Sequence, residues 1–164
     1  MISRFILLAI VLVANNGYAQ AGFSGKVSHV SDGDTLWVRP DAGGAPRKLR
    51  LDGIDAPEIC QAGGESSRAA LVQHALHQRV QVSVRRHDGY GRGLARIRLN
   101  GIDLNAQMVR SGHAWSYRWH RNPGPYVAEE AYARQSGLGL FATGQPELPR
   151  DFRKRNGSCH AARH

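Results

Sequence analysis

Sulfur is scarce in this chain of 164 residues: it has two cysteines, Cys60 and Cys159, and two methionines. So few cysteines exclude a disulfide-dense scaffold, and the fold has to close on a hydrophobic core, which the length allows. Acidic residues are also few, thirteen against twenty-two Lys and Arg, for a formal net charge of +9. That balance suits polyanionic partners, and charge alone does not separate nucleic acid from anionic lipid or cell-wall polymer. Long apolar runs are absent after the first residues, so nothing later in the chain is expected in a membrane. Internal repeats and domain linkers are absent too, which leaves one domain.

The one apolar run lies at the start. Arg4 supplies a positive flank, Phe5 to Ala14 a short apolar region, and Ala19-Gln20-Ala21 the small residues a signal peptidase accepts. Residues 1–21 are therefore expected as a cleaved secretory signal, ending at Ala19 or Ala21. An uncleaved anchor is the alternative, and the run is short for one. The mature protein is expected in the periplasm or outside the cell, as a monomer with no stable membrane association after cleavage. Export makes a Cys60–Cys159 disulfide permissible, with two free thiols the alternative.

Alternating and turn-forming residues predict five strands. Gly25 to Val30 alternates apolar with polar, Ser31-Asp32-Gly33-Asp34 breaks it, and Thr35 to Val38 resumes it. Lys48 to Leu51, Val80 to Val84 and Leu94 to Leu99 follow. Trp37 alternates with strand residues and is expected in the core. A helix from Ser66 or Ser67 to about Gln78 carries the stripe Ala69, Val72, Ala75 and Leu76. Asp103 is expected to cap a second helix through Arg110, with Leu104, Met108 and Val109 buried and Gly112 as its stop. A third spans Tyr126 to Ser136. Five short strands with helices of this length imply an α+β fold, a small five-stranded Greek-key β-barrel of the oligonucleotide-binding type with three α-helices. The domain is expected over 22–145, and 146–164 as a basic, loosely packed tail.

The acids are few but crowded: Asp32 and Asp34, then Asp52, Asp55 and Glu58. Like charges held close need a cation or a basic side chain between them. Asp34, Asp55 and the carbonyl of Ala56 are hard oxygen donors of the kind calcium takes. Asp-Gly-Asp alone is as often only a turn. Glu58 follows a proline on an irregular segment and can face a cleft as a general base, or simply sit in solvent. Arg50 and Arg92 carry planar forks that grip two phosphate oxygens at once, where in so basic a chain any single arginine can be plain surface charge. His74 and His77, three apart on a helix, lack a third ligand for a transition metal. Arg153-Lys154-Arg155 can hold DNA non-specifically or lie in solvent.

In order and rough spacing, Asp32-Gly33-Asp34-Thr35, Arg50 to Glu58, Asp88 to Ala95 and Leu104 to Ala114 resemble the staphylococcal nuclease (thermonuclease-like) family, over about Lys26 to Leu140. The resemblance implies a barrel with three helices and calcium-dependent hydrolysis of DNA and RNA at the 5′ O–P bond, leaving 3′-phosphates. By the same resemblance Asp34, Asp55 and the Ala56 carbonyl hold Ca2+, Glu58 is the base, and Arg50 and Arg92 bind the phosphate. Tyr90 and Tyr117 are the candidates to touch the substrate, with Trp115 and Trp119 beside the latter. Three departures stand out. Asp52 adds a carboxylate that can tune the metal site or pair with Lys48. Gly89 stands where a phosphate-binding lysine is common. The loop after Cys60 is short. Silent nucleic-acid-binding barrels of the family have lost the acids and arginines that are all present here.

Overall fold

The computed structural model describes residues 22–159, so the expected signal and its cleavage positions lie outside the described residues. Strand β1 (Gly22–Asp32) breaks the simple period of two, because Val27 and Val30 are three apart and both buried. Register shifts on either side of His29–Val30 explain this: each slips the pairing against β2 (Thr35–Pro40) and re-aims the side chains that follow. Strand β3 (Arg47–Leu51) pairs antiparallel with β2, setting Thr35 opposite Arg50 and Trp37 opposite Lys48. The two-residue β4 (Ile54–Asp55) follows, then helix α1 (Gly64–Ala75), β5 (Arg79–His87) and β6 (Gly93–Leu99). After β7 (Ile102–Asp103) come α2 (Leu104–Arg110), β8 (Trp115–Ser116), α3 (Val127–Gln135), a 3-10 turn (Gly139–Ala142) and α4 (Pro149–Asn156).

The strands run β3-β2-β1-β5-β6, and a parallel pairing of β3 with β6 closes them into a five-stranded barrel. The expected α+β barrel is therefore observed. Val27, Leu36, Val38, Leu51 and Ile97 fill it, and Leu71, Leu104, Met108 and Val109 cover it from α1 and α2. A second, smaller cluster joins Trp115, Ala133 and Phe141 with Leu138, Leu140 and Leu148.

Four details differ from expectation. Helix α1 starts earlier, at Gly64, with no side-chain cap: Ser66 Oγ donates to the Gly63 carbonyl and Ser67 Oγ to that of His113. Its buried face runs through Ser67, Ala70, Leu71 and Ala75, leaving Ala69 exposed. Trp37 is only half-buried, because its neighbours Leu36 and Val38 take the inward positions; Lys48 Nζ lies 5.8 Å from its ring centre. Asp52 pairs with Arg85 at 3.1 Å rather than with Lys48, since Lys48 lies over Trp37. Finally, the expected loose tail forms a fourth helix, α4, with Pro149 at its first turn where a missing N–H costs nothing. Helix α2 starts as expected, Asp103 Oδ1 accepting from the Ala106 N–H at 3.1 Å.

Candidate active site

Two turns and one strand bring the acids together. Asp34 leaves the β1–β2 turn, where Asp32 Oδ1 accepts from its N–H at 3.0 Å. That turn packs tightly against α1: a Cβ on Gly33 would lie 1.9 Å from Ser67 Oγ and 2.8 Å from the Ala56 methyl, so only glycine fits. Asp55 comes from β4, which pairs with β8. Arg50 stands between them. Its Nη1 donates to Asp34 Oδ1 at 2.7 Å and its Nη2 to Asp55 Oδ1 at 2.9 Å. Asp34 is 2% exposed and Asp55 6%. Asp34 also accepts from Thr35 Oγ1 at 3.0 Å and from the Ala56 N–H at 3.1 Å.

Charge crowding is visible in proton affinities. Burial, and then Asp34 beside it, push Asp32 up from 3.8 to about 7. Burial also raises Asp55, helped by Asp34 and opposed by Arg50 and Arg153. Arg50 loses charge stability to burial, but Asp34, Asp55, Asp32 and Glu58 together more than restore it and raise its pKa. A fixed cation between two buried carboxylates offsets their mutual repulsion and part of the cost of burying them.

Glu58 joins the group through a residue that the sequence motifs do not mark. Arg153 of α4 donates from Nη1 to Glu58 Oε1 at 2.9 Å and from Nη2 to Asp55 Oδ2 at 3.2 Å. Neither a plain DNA contact nor a solvated tail, this arginine lines the site. The segment bearing Glu58 is seated on α1: a Cβ on Gly64 would lie 2.0 Å from the Glu58 carbonyl oxygen. Gln61 Oε1 accepts from the Glu58 N–H at 3.2 Å.

Arg92 stands apart from this constellation. Its Nε donates to Asp88 Oδ2 at 2.7 Å and its N–H to Asp88 Oδ1 at 3.0 Å. Burial works against the Asp88 carboxylate, but these contacts and the Tyr90 N–H hold it below its usual range. Gly93 lies opposite Leu49 in the parallel β3–β6 pair, so Arg92 enters β6 beside the strand that carries Arg50. Tyr90 is 87% exposed on the same loop, with the Arg92 guanidinium 5.5 Å from its ring centre. Tyr117 lines a cleft of about 30 Å³ with Asp55, Trp115, Arg118, Leu148 and Arg150. Cys60 and Cys159 are joined, their Cα atoms 5.9 Å apart. His74 Nδ1 lies 3.3 Å from Gln107 Nε2, and among the described residues no group of three or more His, Cys, Asp or Glu could hold a metal.

The staphylococcal nuclease homologue family matches residues 48–143, which takes in Arg50, Asp55, Glu58 and Arg92. The chain belongs to that family. Membership makes it a nuclease, a hydrolase. An uncharacterised endonuclease of Haemophilus influenzae is 31% identical over 94% of this chain and 88% of its own length. A micrococcal nuclease of Shigella flexneri is 34% identical over 92% and 91%. Protein ParB of Escherichia coli is 33% identical over 96% and 93%.

Two further residues position the nuclease site: Asn105, within the 104–114 motif but given no role there by the sequence, and Glu130, which lies in none of the motifs. Asn105 is fully buried: its Nδ2 donates to the carbonyls of Asp52 and Ala95 at 2.9 and 3.0 Å, and its Oδ1 accepts from the Ile97 N–H at 3.2 Å. It ties the turn before β4 to β6. Glu130, 2% exposed, accepts from the Ser116 N–H at 3.0 Å and pairs with Arg118 and Arg134. Ser116 lies opposite Ile54, so Glu130 braces the strand pair that presents Asp55. The cue available in the sequence was a glutamate on the inner face of a helix. That pattern demands buried partners but does not name them.

Proposed function

We propose that this nuclease is an exported, calcium-dependent enzyme that cleaves DNA and RNA phosphodiesters with little sequence preference and leaves 3′-phosphates. The observation that carries the reading is the Arg50 bridge between Asp34 and Asp55, with Glu58 linked to Asp55 through Arg153. The donor chemistry fits a hard cation. Asp34 and Asp55 turn toward a common guanidinium, and the Ala56 carbonyl belongs to the adjoining residue; calcium accepts such oxygens in irregular geometry and completes its shell with water. Asp34, Asp55 and Ala56 would hold it, and a cation there supplies Lewis-acid polarisation of a phosphoryl oxygen.

The chain's own groups supply the rest. Glu58 takes the proton of the attacking water as its oxygen bonds to phosphorus and the bond from phosphorus to the 5′ oxygen breaks. Arg50 uses two of its N–H groups on Asp34 and Asp55 in this structure, leaving others to donate to the phosphate as its charge builds. Arg92, steadied by Asp88, is the second phosphate ligand. Tyr117, beside Asp55, and the exposed Tyr90 offer rings to bases. The Cys60–Cys159 bond supports an oxidising compartment, periplasmic or extracellular. No described helix is long and apolar enough to cross a membrane. The mature protein is assigned as a monomer.

The test is release of acid-soluble nucleotides from DNA and from RNA, with calcium and with chelator. Glu58→Ala and Arg92→Ala should each lower kcat by about a hundredfold or more. Cleavage that ignores chelation, or that survives both substitutions together, removes the mechanism.

A further inference from the structure

Helix α4 is pinned around the site at several points. Cys159, just past its end, is bonded to Cys60, two residues after Glu58. Gln61 Nε2 donates to the Glu147 carbonyl at 2.7 Å, and Arg155 pairs with the Glu147 side chain. Leu148 packs on the Trp115–Phe141 cluster. Between these anchors Arg153 spans two carboxylates: Nη1 is 2.9 Å from Glu58 Oε1, and Nη2 is 3.2 Å from Asp55 Oδ2 and 3.4 Å from Asp55 Oδ1. These are the oxygens that the proposed mechanism requires for other work.

We propose that Arg153 is a built-in competitor for the Asp55–Glu58 carboxylates, held in place by the disulfide-anchored helix, and that a divalent cation has to displace it before the site is complete. The inference rests on the calcium-dependent reading above. Both Asp55 oxygens face Arg153, and Oδ1 also accepts from Arg50, so little lone-pair capacity is left for a metal. A guanidinium and a divalent cation on one carboxylate also repel each other across a poorly screened gap. Arg153 would thus set the threshold cation concentration for activity, and its tether would set the threshold in turn. A covalent anchor keeps the side chain at high effective concentration over the acids.

Calcium titration calorimetry without nucleic acid tests this on the full mature chain. The wild type is compared with Arg153→Gln, with the Cys60→Ser/Cys159→Ser pair and with the triple variant; circular dichroism checks that each is folded. Relief of competition should tighten calcium binding by roughly fivefold or more in Arg153→Gln, the usual size of a coupling between two sites. The cysteine pair should show a smaller gain, and the triple variant no more than Arg153→Gln alone. Arg153→Gln binding calcium no more tightly than a wild type that does bind it overturns the inference and leaves the calcium reading intact. Wild-type affinity in the cysteine pair overturns the role given to the disulfide. Calcium binding to neither wild type nor variants overturns both the inference and the reading beneath it.

Discussion

Arg50→Met isolates the electrostatic frame of the site from its chemistry. The substitution keeps an unbranched side chain and removes the cation between Asp34, 2% exposed, and Asp55, 6% exposed. Removing one partner of a buried ion pair costs about 3–5 kcal/mol, because a charge is left without compensation. The lower end applies here. Asp34 keeps its bonds from Thr35 Oγ1 and the Ala56 N–H, and Asp55 keeps Arg153. A loss of about 3 kcal/mol is a hundredfold or more in the folding equilibrium. Urea unfolding followed by circular dichroism, in chelator at neutral pH and with the disulfide intact, reads it directly. The deficit should shrink on acidification. Asp55 is already raised by burial and Asp34, and losing Arg50 raises it further, so the native variant gains a proton that the unfolded chain releases at the same pH. Arg50→Lys should recover only part of the loss, since one ammonium cannot donate to both acids as the guanidinium fork does. A deficit below about 1 kcal/mol at neutral pH, or one unchanged by acid, would refute the view that the Arg50 cation holds the two carboxylates together.

Asn105→Ala should cost about 2–3 kcal/mol in the same unfolding assay, because it removes the Asn105 partner of the buried Ile97 N–H and of the part-buried Asp52 carbonyl, while the Ala95 carbonyl keeps its bond from the Asp52 N–H; a loss below about 1 kcal/mol would show that the turn before β4 does not depend on it. The Asp88 carboxylate lies below its usual range, so the stability it lends the 88–92 loop is fully present above its unfolded value of 3.8 and is lost as pH falls through the lower folded one. The Arg92 side-chain resonance should therefore stay fixed through neutral and mildly acidic pH and loosen only in stronger acid. In Asp88→Asn it should be loose throughout, with kcat/KM lowered, and a signal that titrates near neutrality instead would count against this account.

The barrel was legible because most strands state their own inward face, β1 with its register shifts being the exception. Leu49 and Leu51 against Lys48 and Arg50 need only a period of two, and their burial follows. Even so, Trp37 misleads: size and apolarity suggest the core, while its phase between Leu36 and Val38 sends it outward. Phase decides, because a strand cannot bury adjacent residues on one face. Helix α1 misleads for a related reason. Its start is set by the close approach of Gly64 to the Glu58 carbonyl, a tertiary contact that serines competing as local caps do not reveal.

The acids and arginines of the motifs were legible by residue type, but their partners were not. Asp34 and Asp55 are twenty-one positions apart in the sequence, and it is the pairing of β2 with β3, with the Leu51 and Ala56 N–H groups donating to Asp34, that makes them neighbours. Arg153 is ninety-five residues from Glu58, in a run whose composition suggests solvent. Nothing local to Arg153-Lys154-Arg155 distinguishes the first from the other two. Helix geometry does: consecutive residues point about 100° apart, so one of three adjacent bases can face the site while Lys154 and Arg155 turn to Asp151 and Glu147. The remote cue was Cys159, since a bond to Cys60 requires the chain just before it to cross close to Glu58. A cysteine pair that spans a catalytic segment therefore says more about that segment's neighbours than the composition of the tail does. In this nuclease it marks the tail as part of the site's charge balance.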